Sequence, residues 1–483
     1  MMHRRICPRR VPDQAWTLAI LLLAFALRVH LLGDYSLWFD ESFTWWVSAR
    51  LTWADLWPSL LPFGAYTPMF YLLMRGVAAI GQGEFVLRFP AVFFGVLQIP
   101  VVERLGRRVG GVVIGRLAAL FVAINPFSVW YSQDARMYTM ASFFVLVAMD
   151  GFMRAVDGKG WRRSIVGAGA AYLTHYVTLF IVYIQLVWWL PRFRRQLPLF
   201  RRWYGSHMLA FLPLVPWLML YFSQPVRGLA ISWIPAPSPL VPLLTFWNFL
   251  SGDIDTWTPI VLGTALVVAG VALIGARRPQ RWRGLLLGWL ILPPLSSYLL
   301  SFRVPTYVDR YFAFSQFALI LMLAIGLTAI RFKPAAIAAG VALGGLMLVN
   351  TLRLHTDPLF VKEDWRSAAA IVNQQIQPRD RLGVQDNEGL LALSYYYRGE
   401  VAPMPILIDR NPDALDRLSA GVDRLWLVYR SELESNHRFA KSRPFDVYTQ
   451  THPATQQWLA ANCRPSLGQW KFSGVTVLLC PGQ

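Results

Sequence analysis

Apolar stretches of about 20 residues recur through the first 353 residues of the chain and are separated by short arginine clusters. A helix of that length spans the hydrocarbon core of a bilayer. The pattern predicts a polytopic α-helical membrane protein with eleven crossings. The expected crossings lie near residues 15–32, 86–104, 112–130, 137–153, two within 164–190, 204–222, 259–275, 284–301, 311–330 and 335–352.

The basic residues orient this array of helices. With a cytoplasmic N-terminus, the segments on the cytoplasmic side hold 23 Lys and Arg by direct count, whereas the external segments hold six. The positive-inside rule predicts such an imbalance. It accounts for the net charge of +19 better than nucleic-acid binding does, because the cations lie in clusters between apolar runs. We expect a multi-pass protein of the bacterial inner membrane whose first apolar run, which has no small-residue cleavage site after it, is a retained helix.

Two apolar segments do not fit a simple count. Tyr66 to Ile80 is short and carries Pro68, so it is interpreted as an interfacial or re-entrant helix. Ser164 to Leu190 has basic clusters at both ends, which requires an even number of crossings. We therefore predict a thin hairpin that turns near His175.

The composition becomes polar after Arg353 and stays so to the end of the chain. This shift predicts a membrane domain over residues 1–353 and a small periplasmic α/β domain over 354–483. A helix is expected at Asp364–Ile376, and strands are expected at Arg424–Tyr429 and Val475–Leu479. Cys463 and Cys480 both fall in this second domain, on the oxidising side, and the sequence leaves open whether they form a disulfide.

The external loops carry the candidate chemistry. Adjacent carboxylates, Asp40 and Glu41, follow the first span, and arginines occur in later loops that the topology places on the same face. Arginine suits a phosphate, and a carboxylate suits a nucleophile that must lose a proton. The external polar residues of this set are Asp34, Asp40, Glu41, Asp55, Tyr131, Ser132, Gln133, Asp134, Arg136, His175, Arg303, Tyr307, Asp309, Arg310 and Tyr311.

This mixture favours sugar transfer from a lipid-linked phosphate. Arginines would stabilise the departing phosphate, so no general acid is needed, and one carboxylate would take the proton from an acceptor hydroxyl that attacks the opposite face of the anomeric carbon. The configuration would be inverted. A glycosidase needs two carboxylates placed across the bond, and adjacent residues cannot easily straddle it.

Several segments resemble a known family in the right order along the chain. They are 37–44 (LWFDESFT), 131–138 (YSQDARMY), 174–176 (THY), Arg310-Tyr311 and 364–366 (DWR). They resemble the GT-C glycosyltransferases of the protein O-mannosyltransferase and lipid A aminoarabinose transferase group, and the bacterial members more than the eukaryotic ones. The resemblance implies a GT-C architecture and a polyprenyl-phosphate sugar donor, with a lipid, glycan or protein hydroxyl as acceptor.

The resemblance also implies residue roles. Asp40 corresponds to the catalytic base, and Glu41 lies beside it as a positioning or metal-facing group. The donor phosphate is expected to contact Arg136, Arg303, Arg310 and Tyr311, and the substrate is expected to be positioned by Gln133, Asp134, Tyr138 and His175. The sequence requires no cofactor. Because some relatives bind a divalent metal and others need none, a metal, if held, is expected at Asp40, Glu41 and His175.

Each assignment has a structural alternative. The two acids could cap an interfacial helix, and residues 133–136 could form a solvated turn in which Asp134 pairs with Arg136. His175 could be an interhelical hydrogen-bonding residue, and Arg303 and Arg310 could extend to lipid headgroups. A transporter or flippase of lipid-linked sugars would also have many spans, but it would show midplane charges and two similar halves. A membrane scaffold would have no use for the acid pair.

Overall fold

The structure is a computed structural model, and it describes residues 13–61, 67–223, 234, 237–252, 259–357, 360–406, 413–430, 453–463 and 466–482. Helices dominate up to residue 356. They are α1 (Asp13–Val29), α2 (Phe39–Trp45), α3 (Trp53–Leu60), α4 (Pro68–Ile80), α5 (Glu84–Gly110), α6 (Val112–Ile124), α7 (Pro126–Ser132), α8 (Tyr138–Val156), α9 (Trp161–Thr174), α10 (Phe180–Trp189), α11 (Leu197–Phe211), α12 (Val215–Phe222), α13 (Val241–Ser251), α14 (Pro259–Arg277), α15 (Arg283–Leu300), α16 (Gln316–Ala329) and α17 (Lys333–Thr356).

The helices confirm a multi-pass membrane protein. Within the described ranges, six helical segments are long and apolar enough to cross a bilayer, and the bent pair α6–α7 would make a seventh. Other apolar helices, including α1, α10 and α13, are shorter. The predicted total of eleven crossings and their orientation therefore stay predictions.

The crossing predicted at 112–130 is bent rather than straight. Helix α6 ends at Ile124, and α7 departs at an angle of 56°. Asn125 makes the break: its side chain accepts a hydrogen bond from Ser128 N at 2.8 Å and donates one to the Phe249 carbonyl at 2.7 Å. Pro126 takes the first position of α7, where its missing N–H costs no hydrogen bond. The bend directs α7 into the second-loop segment.

The chain reverses at His175, as the charge pattern predicted. His175 lies near Tyr138 at the start of α8, with 6.3 Å between ring centroids. Ten or more residues later, the rings of Trp188 and Trp189 lie 5.7 and 6.4 Å from Phe152 near the other end of α8. Helix α9 therefore runs along α8 in one direction, and a short 3₁₀ turn with α10 runs back in the other.

The segment predicted to be interfacial or re-entrant forms α4. Its 13 residues give a length of about 20 Å, shorter than the roughly 30 Å of a bilayer core. Tyr66 lies outside the described residues. The position of α4 relative to the membrane stays a prediction.

The C-terminal part is built around a five-stranded sheet of order β2-β1-β3-β5-β4, with α18 and α19 packed on it. Strands β2, β1 and β3 are parallel, whereas β5 pairs antiparallel with both β3 and β4. The elements are α18 (Trp365–Gln375), β1 (Arg381–Val384), α19 (Asn387–Tyr396), β2 (Pro403–Pro405), α20 (Ala414–Ser419), β3 (Arg424–Arg430), α21 (Pro453–Asn462), β4 (Gly468–Phe472) and β5 (Val475–Pro481).

The elements predicted here are confirmed within one or two residues. Helix α18 begins after Asp364, whose side chain accepts a hydrogen bond from Ser367 N at 3.0 Å. The two predicted strands correspond to β3 and β5. The sequence left open whether Cys463 and Cys480 pair. In the structure they form a disulfide with 4.9 Å between their Cα atoms. Helix α17 ends at Thr356, close to the predicted domain boundary, which itself stays a prediction.

The sheet-bearing part is fixed to the first loop after α1. The Tyr396 hydroxyl accepts a hydrogen bond from Leu37 N at 2.7 Å and donates one to Glu84 at 2.9 Å. Arg366 pairs with the same Glu84 carboxylate at 2.6 Å, and Trp365 N donates to Ser36 Oγ at 3.1 Å. These contacts hold α18 and α19 against the segment that carries the acid pair.

Candidate active site

The acid pair lies in the first turn of α2. Carboxylates are favoured there by the helix dipole, which agrees with the capping alternative. However, Asp40 is only 8% exposed and Glu41 is fully buried. Burial of two ionisable groups is costly unless each has partners, so capping alone does not explain the pair.

Asp40 faces two guanidinium groups. Its Oδ2 lies 3.9 Å from Arg136 Nε and 3.9 Å from Arg310 Nη2, and both arginines are 3% exposed. These distances permit strong Coulomb attraction but are too long for hydrogen bonds. Among the described residues, no hydrogen bond to the Asp40 carboxylate oxygens is found. The carboxylate is therefore held electrostatically while its oxygens can accept a proton.

Other groups fix the two arginines. Arg136 Nη1 donates to the Asp40 carbonyl at 3.1 Å, and Arg310 Nε donates to the Tyr138 hydroxyl at 3.0 Å. The Arg310 guanidinium also lies 5.9 Å from the ring centre of Tyr138 and 5.8 Å from that of Tyr311. Arg310 and Tyr311 of the late loop and Tyr138 of the second-loop motif, to which the sequence assigned two different roles, therefore form one group.

Glu41 is enclosed by donors. Arg88 donates through Nε to Oε1 and through Nη2 to Oε2, both at 2.7 Å, while Ala135 N donates to Oε1 at 2.9 Å. Lys362 Nζ donates to Oε2 at 3.1 Å. Burial alone would raise the pKa of Glu41, but the charges of Arg88 and Lys362 and these hydrogen bonds lower it to about 2. Glu41 is thus a fixed anion that joins α5, the second loop and the segment leading into the C-terminal part.

Sequence reasoning missed Arg88 and Lys362. A signal existed for Arg88, because an arginine inside an apolar span is expensive and needs a partner. No local signal distinguishes Lys362, which lies in a polar segment. Arg28 is a third example: it is fully buried in α1 and donates to the carbonyls of Val122 and Ala123, where α6 ends.

The second loop is buried rather than solvated. Asp134 is 2% exposed and accepts a hydrogen bond from the neutral Trp38 Nε1 at 2.7 Å, and its carboxylate lies 3.5 Å from the Lys362 ammonium. Burial raises the pKa of Asp134. Gln133 donates to the carbonyls of Arg28 and His30. The solvated-turn alternative, with Asp134 paired to Arg136, is therefore wrong.

His175 lies beside the arginine–tyrosine group. Its ring centre is 5.3 Å from that of Tyr311, and it is 4% exposed. Its Nδ1 accepts a hydrogen bond from Val177 N at 3.3 Å, which caps the turn that follows. The ring therefore lines the site, and its described hydrogen bond is local rather than interhelical.

Arg303 is the predicted phosphate ligand that the structure does not bring into this group. It follows α15 in a turn and is exposed, whereas Arg136 and Arg310 are buried. This position agrees with the alternative in which Arg303 extends to a headgroup. Its predicted contact with a donor phosphate stays a prediction.

The residues named for a metal do not fit one. In the part of the chain that the structure describes, no three His, Cys, Asp or Glu side chains are grouped as a metal site would require. Both oxygens of Glu41 are already committed to cationic and amide donors. The donor set of Glu41 therefore does not support a metal here, and the expectation of one at Asp40, Glu41 and His175 stays a prediction.

No protein-family model and no curated protein matches this chain. Solved structures do match. ArnT from Cupriavidus metallidurans in the apo state aligns over 96% of this chain and 98% of its own, at 12% identity and a TM-score of 0.64. The same protein bound to undecaprenyl phosphate aligns over 97% and 98%, at 14% identity and 0.57. The oligosaccharyltransferase AglB from Archaeoglobus fulgidus, in complex with an inhibitory peptide and a dolichol-phosphate, aligns over 96% and 74%, at 12% identity and 0.55. This chain has the GT-C fold of these proteins, which confirms the resemblance seen in the sequence.

Proposed function

We propose that this chain is an integral-membrane, inverting glycosyltransferase that moves a sugar from a polyprenyl-phosphate donor to a hydroxyl acceptor. The observation that carries the proposal is the position of Asp40, 3.9 Å from each of two buried guanidinium groups. A base and two phosphate-binding cations thereby face one another. The GT-C neighbours bound to undecaprenyl phosphate and dolichol-phosphate support the same class of donor.

In the proposed reaction, Asp40 takes the proton of the acceptor hydroxyl as its oxygen attacks the anomeric carbon. The bond between that carbon and the phosphate oxygen breaks with both electrons going to the phosphate. Arg136 and Arg310 stabilise the negative charge on the departing lipid phosphate. Because nucleophile and leaving group lie on opposite faces of the sugar, the product is inverted.

We assign Glu41 a positioning role. Glu41 is adjacent to Asp40 in the chain. It also accepts a hydrogen bond from Ala135 N, and Ala135 directly precedes Arg136. A fixed carboxylate at this point sets the distance between base and phosphate-binding cation. Tyr138, Tyr311 and His175 would line the space in which the donor lies, beside Arg310.

The proposed site faces the periplasm. Tyr138 marks the site end of α8, and Arg154 lies 16 residues later, roughly 24 Å along the helix axis. Arg104, Arg107, Arg108 and Arg281 lie around one cavity with Arg154 at that second end. The positive-inside rule assigns such a cluster to the cytoplasm. We propose that donor and acceptor meet at the external face and that the C-terminal part is periplasmic.

The test compares membrane lipids and surface glycans, by mass spectrometry, in cells that lack the gene and carry one plasmid-borne variant. Wild type should restore a sugar-bearing species, and Asp40→Asn should not. Asp34→Asn is the matched control, because it removes a carboxylate from the same loop outside the site. Asp40→Asn should be present in the membrane at the wild-type amount, so that a missing sugar reports lost activity rather than lost protein. Restoration of the sugar by Asp40→Asn would refute the proposal and would favour a flippase that needs no base.

A further inference from the structure

A second cluster of cations lies at the end of the helical domain remote from Asp40. Four basic side chains line a cavity of about 600 Å³: Arg277 and Arg278 from the end of α14, and Arg331 and Lys333 from the junction of α16 and α17. The Gln316 side chain bonds to Ser128 at the site end of α16, whereas Ala329, in the cavity wall, lies roughly 20 Å further along the helix. The cavity is thus separate from the proposed active site.

Close helix packing holds these cations together. A Cβ atom on Gly275 would lie 2.1 Å from the Met322 carbonyl oxygen, and one on Gly326 would lie 2.0 Å from the Val271 carbonyl oxygen. Only glycine permits the backbones of α14 and α16 to approach this closely. The approach places Arg277 and Arg278, at the end of α14, beside the short connection between α16 and α17 that carries Arg331.

The charges of the four cations are not neutralised by nearby carboxylates among the described residues. No carboxylate lines the cavity, and among the described residues none of its four basic groups has an acidic partner within 4.0 Å. A second basic cavity at this end shows the opposite case: its Arg108 and Arg281 both pair with Asp157, at 2.9 and 2.6 Å. Four cations that repel one another in one concave site favour an anion between them. The N-terminus of the 24-residue helix α17, at Lys333, adds to this attraction.

The walls of the cavity continue into exposed apolar surface. Ile274 in its lining is 41% exposed, and Ile337 and Val341 on the adjoining α17 are 67% and 69% exposed. Side chains of this kind on membrane helices face lipid chains. An anion that also carries acyl chains would therefore occupy both the charged and the apolar parts.

We infer that this cavity binds the headgroup of an anionic phospholipid. Four cations exceed the single charge of one phosphodiester, so a headgroup with two phosphates fits best. Basic pockets between membrane helices bind headgroups of this kind. The inference does not depend on the proposed glycosyltransferase activity, because none of the four cations contacts the Asp40 group.

The experiment measures lipid binding to the purified full chain by native mass spectrometry. Cardiolipin, phosphatidylglycerol and phosphatidylcholine are titrated against wild type, against Arg277→Gln/Arg331→Gln and against Arg201→Gln/Arg202→Gln. The last variant removes the same charge from α11, outside the cavity, at positions that are exposed like the four cavity cations, so it controls for nonspecific attraction. Inorganic pyrophosphate is added as a competitor to distinguish a lipid headgroup from a free phosphate.

Cardiolipin should bind most tightly and phosphatidylcholine least. Arg277→Gln/Arg331→Gln should weaken cardiolipin binding roughly 30-fold, since each cation near an anionic lipid contributes about fivefold, and the α11 variant should change it less than about twofold. Millimolar pyrophosphate should not displace the lipid. Equal weakening in both variants, equal binding of phosphatidylcholine, or full displacement by pyrophosphate would each overturn the inference.

Discussion

Replacement of Lys362 by Met tests whether the C-terminal part positions the catalytic loop. Met keeps an apolar side chain near Trp130, whose ring centre lies 5.8 Å from Nζ, but removes the donor to Glu41, to the Gln133 carbonyl and to Asp134. A hydrogen bond to a charged group contributes about 1.5–3 kcal/mol. Because Arg88 still neutralises Glu41, we expect a loss near the middle of that range, about 2 kcal/mol, rather than the larger cost of an unpaired buried charge.

If Asp40 and Arg136 are no longer aligned and the transition state loses this free energy, the rate of sugar transfer decreases roughly 30-fold. The assay is the initial rate of product formation in membrane vesicles, followed by mass spectrometry. Lys471→Met, which changes an exposed lysine on β4, is the matched control and should keep the wild-type rate. Lys362→Arg should recover much of the activity, because arginine also donates to carboxylates.

The pH dependence of activity separates a positioning role of Lys362 from a general loss of stability. Burial, and then the charge of Arg88, lower the pKa of Lys362 below its usual 10.5. The ammonium is therefore lost as pH rises through this lowered value, and activity should decrease there. Between the lowered pKa and 10.5 the unfolded chain binds the extra proton, so stability attributable to Lys362 increases with pH over the same window. Lys362→Arg should move the decrease in activity to higher pH. A Lys362→Met enzyme with the wild-type rate and the wild-type alkaline limb would refute the positioning role.

Three further predictions concern the arginines and the disulfide. Arg136→Gln and Arg310→Gln should each lower the transfer rate about 100-fold, because each removes one group that stabilises the departing phosphate. Transfer rates within threefold of wild type in vesicle assays would contradict this prediction. Arg303→Gln should lower the rate less than about twofold in the same assay, because the side chain is exposed and lies outside the group around Asp40; a 100-fold loss would show that it reaches the donor. Cys463→Ser/Cys480→Ser should destabilise the C-terminal part by about 3 kcal/mol, because the disulfide closes a loop with a sequence separation of 17. Limited proteolysis should then cleave the variant faster than wild type at equal protease concentration. An unchanged cleavage rate would contradict this prediction.

Some features of this protein can be predicted from short stretches of its sequence. The length of the apolar runs and the arginine clusters between them predict a membrane protein, and the clusters flanking Ser164–Leu190 predict the reversal at His175. The short, strand-like runs at 424–429 and 475–479 predict two strands of the sheet. Adjacent carboxylates after a first span, with arginines in later loops, predict where the chemistry lies. The spans, the reversal and the strands each depend on residues close together in the chain, and the orientation rule then places the distant arginines on the face of the acid pair.

The partners of each buried charge were decided only by the tertiary structure. Glu41 is held by Arg88, 47 residues away, and by Lys362, 321 residues away. Arg310 joins the group around Asp40 while Arg303, seven residues earlier in the same loop region, faces outward. Even the bend at Asn125, which an Asn-Pro pair could have suggested, depends on a bond to Phe249 in another helix. Sequence patterns report the local preference for a helix, strand or turn, whereas the neutralisation of a buried ion depends on which distant segments pack against it.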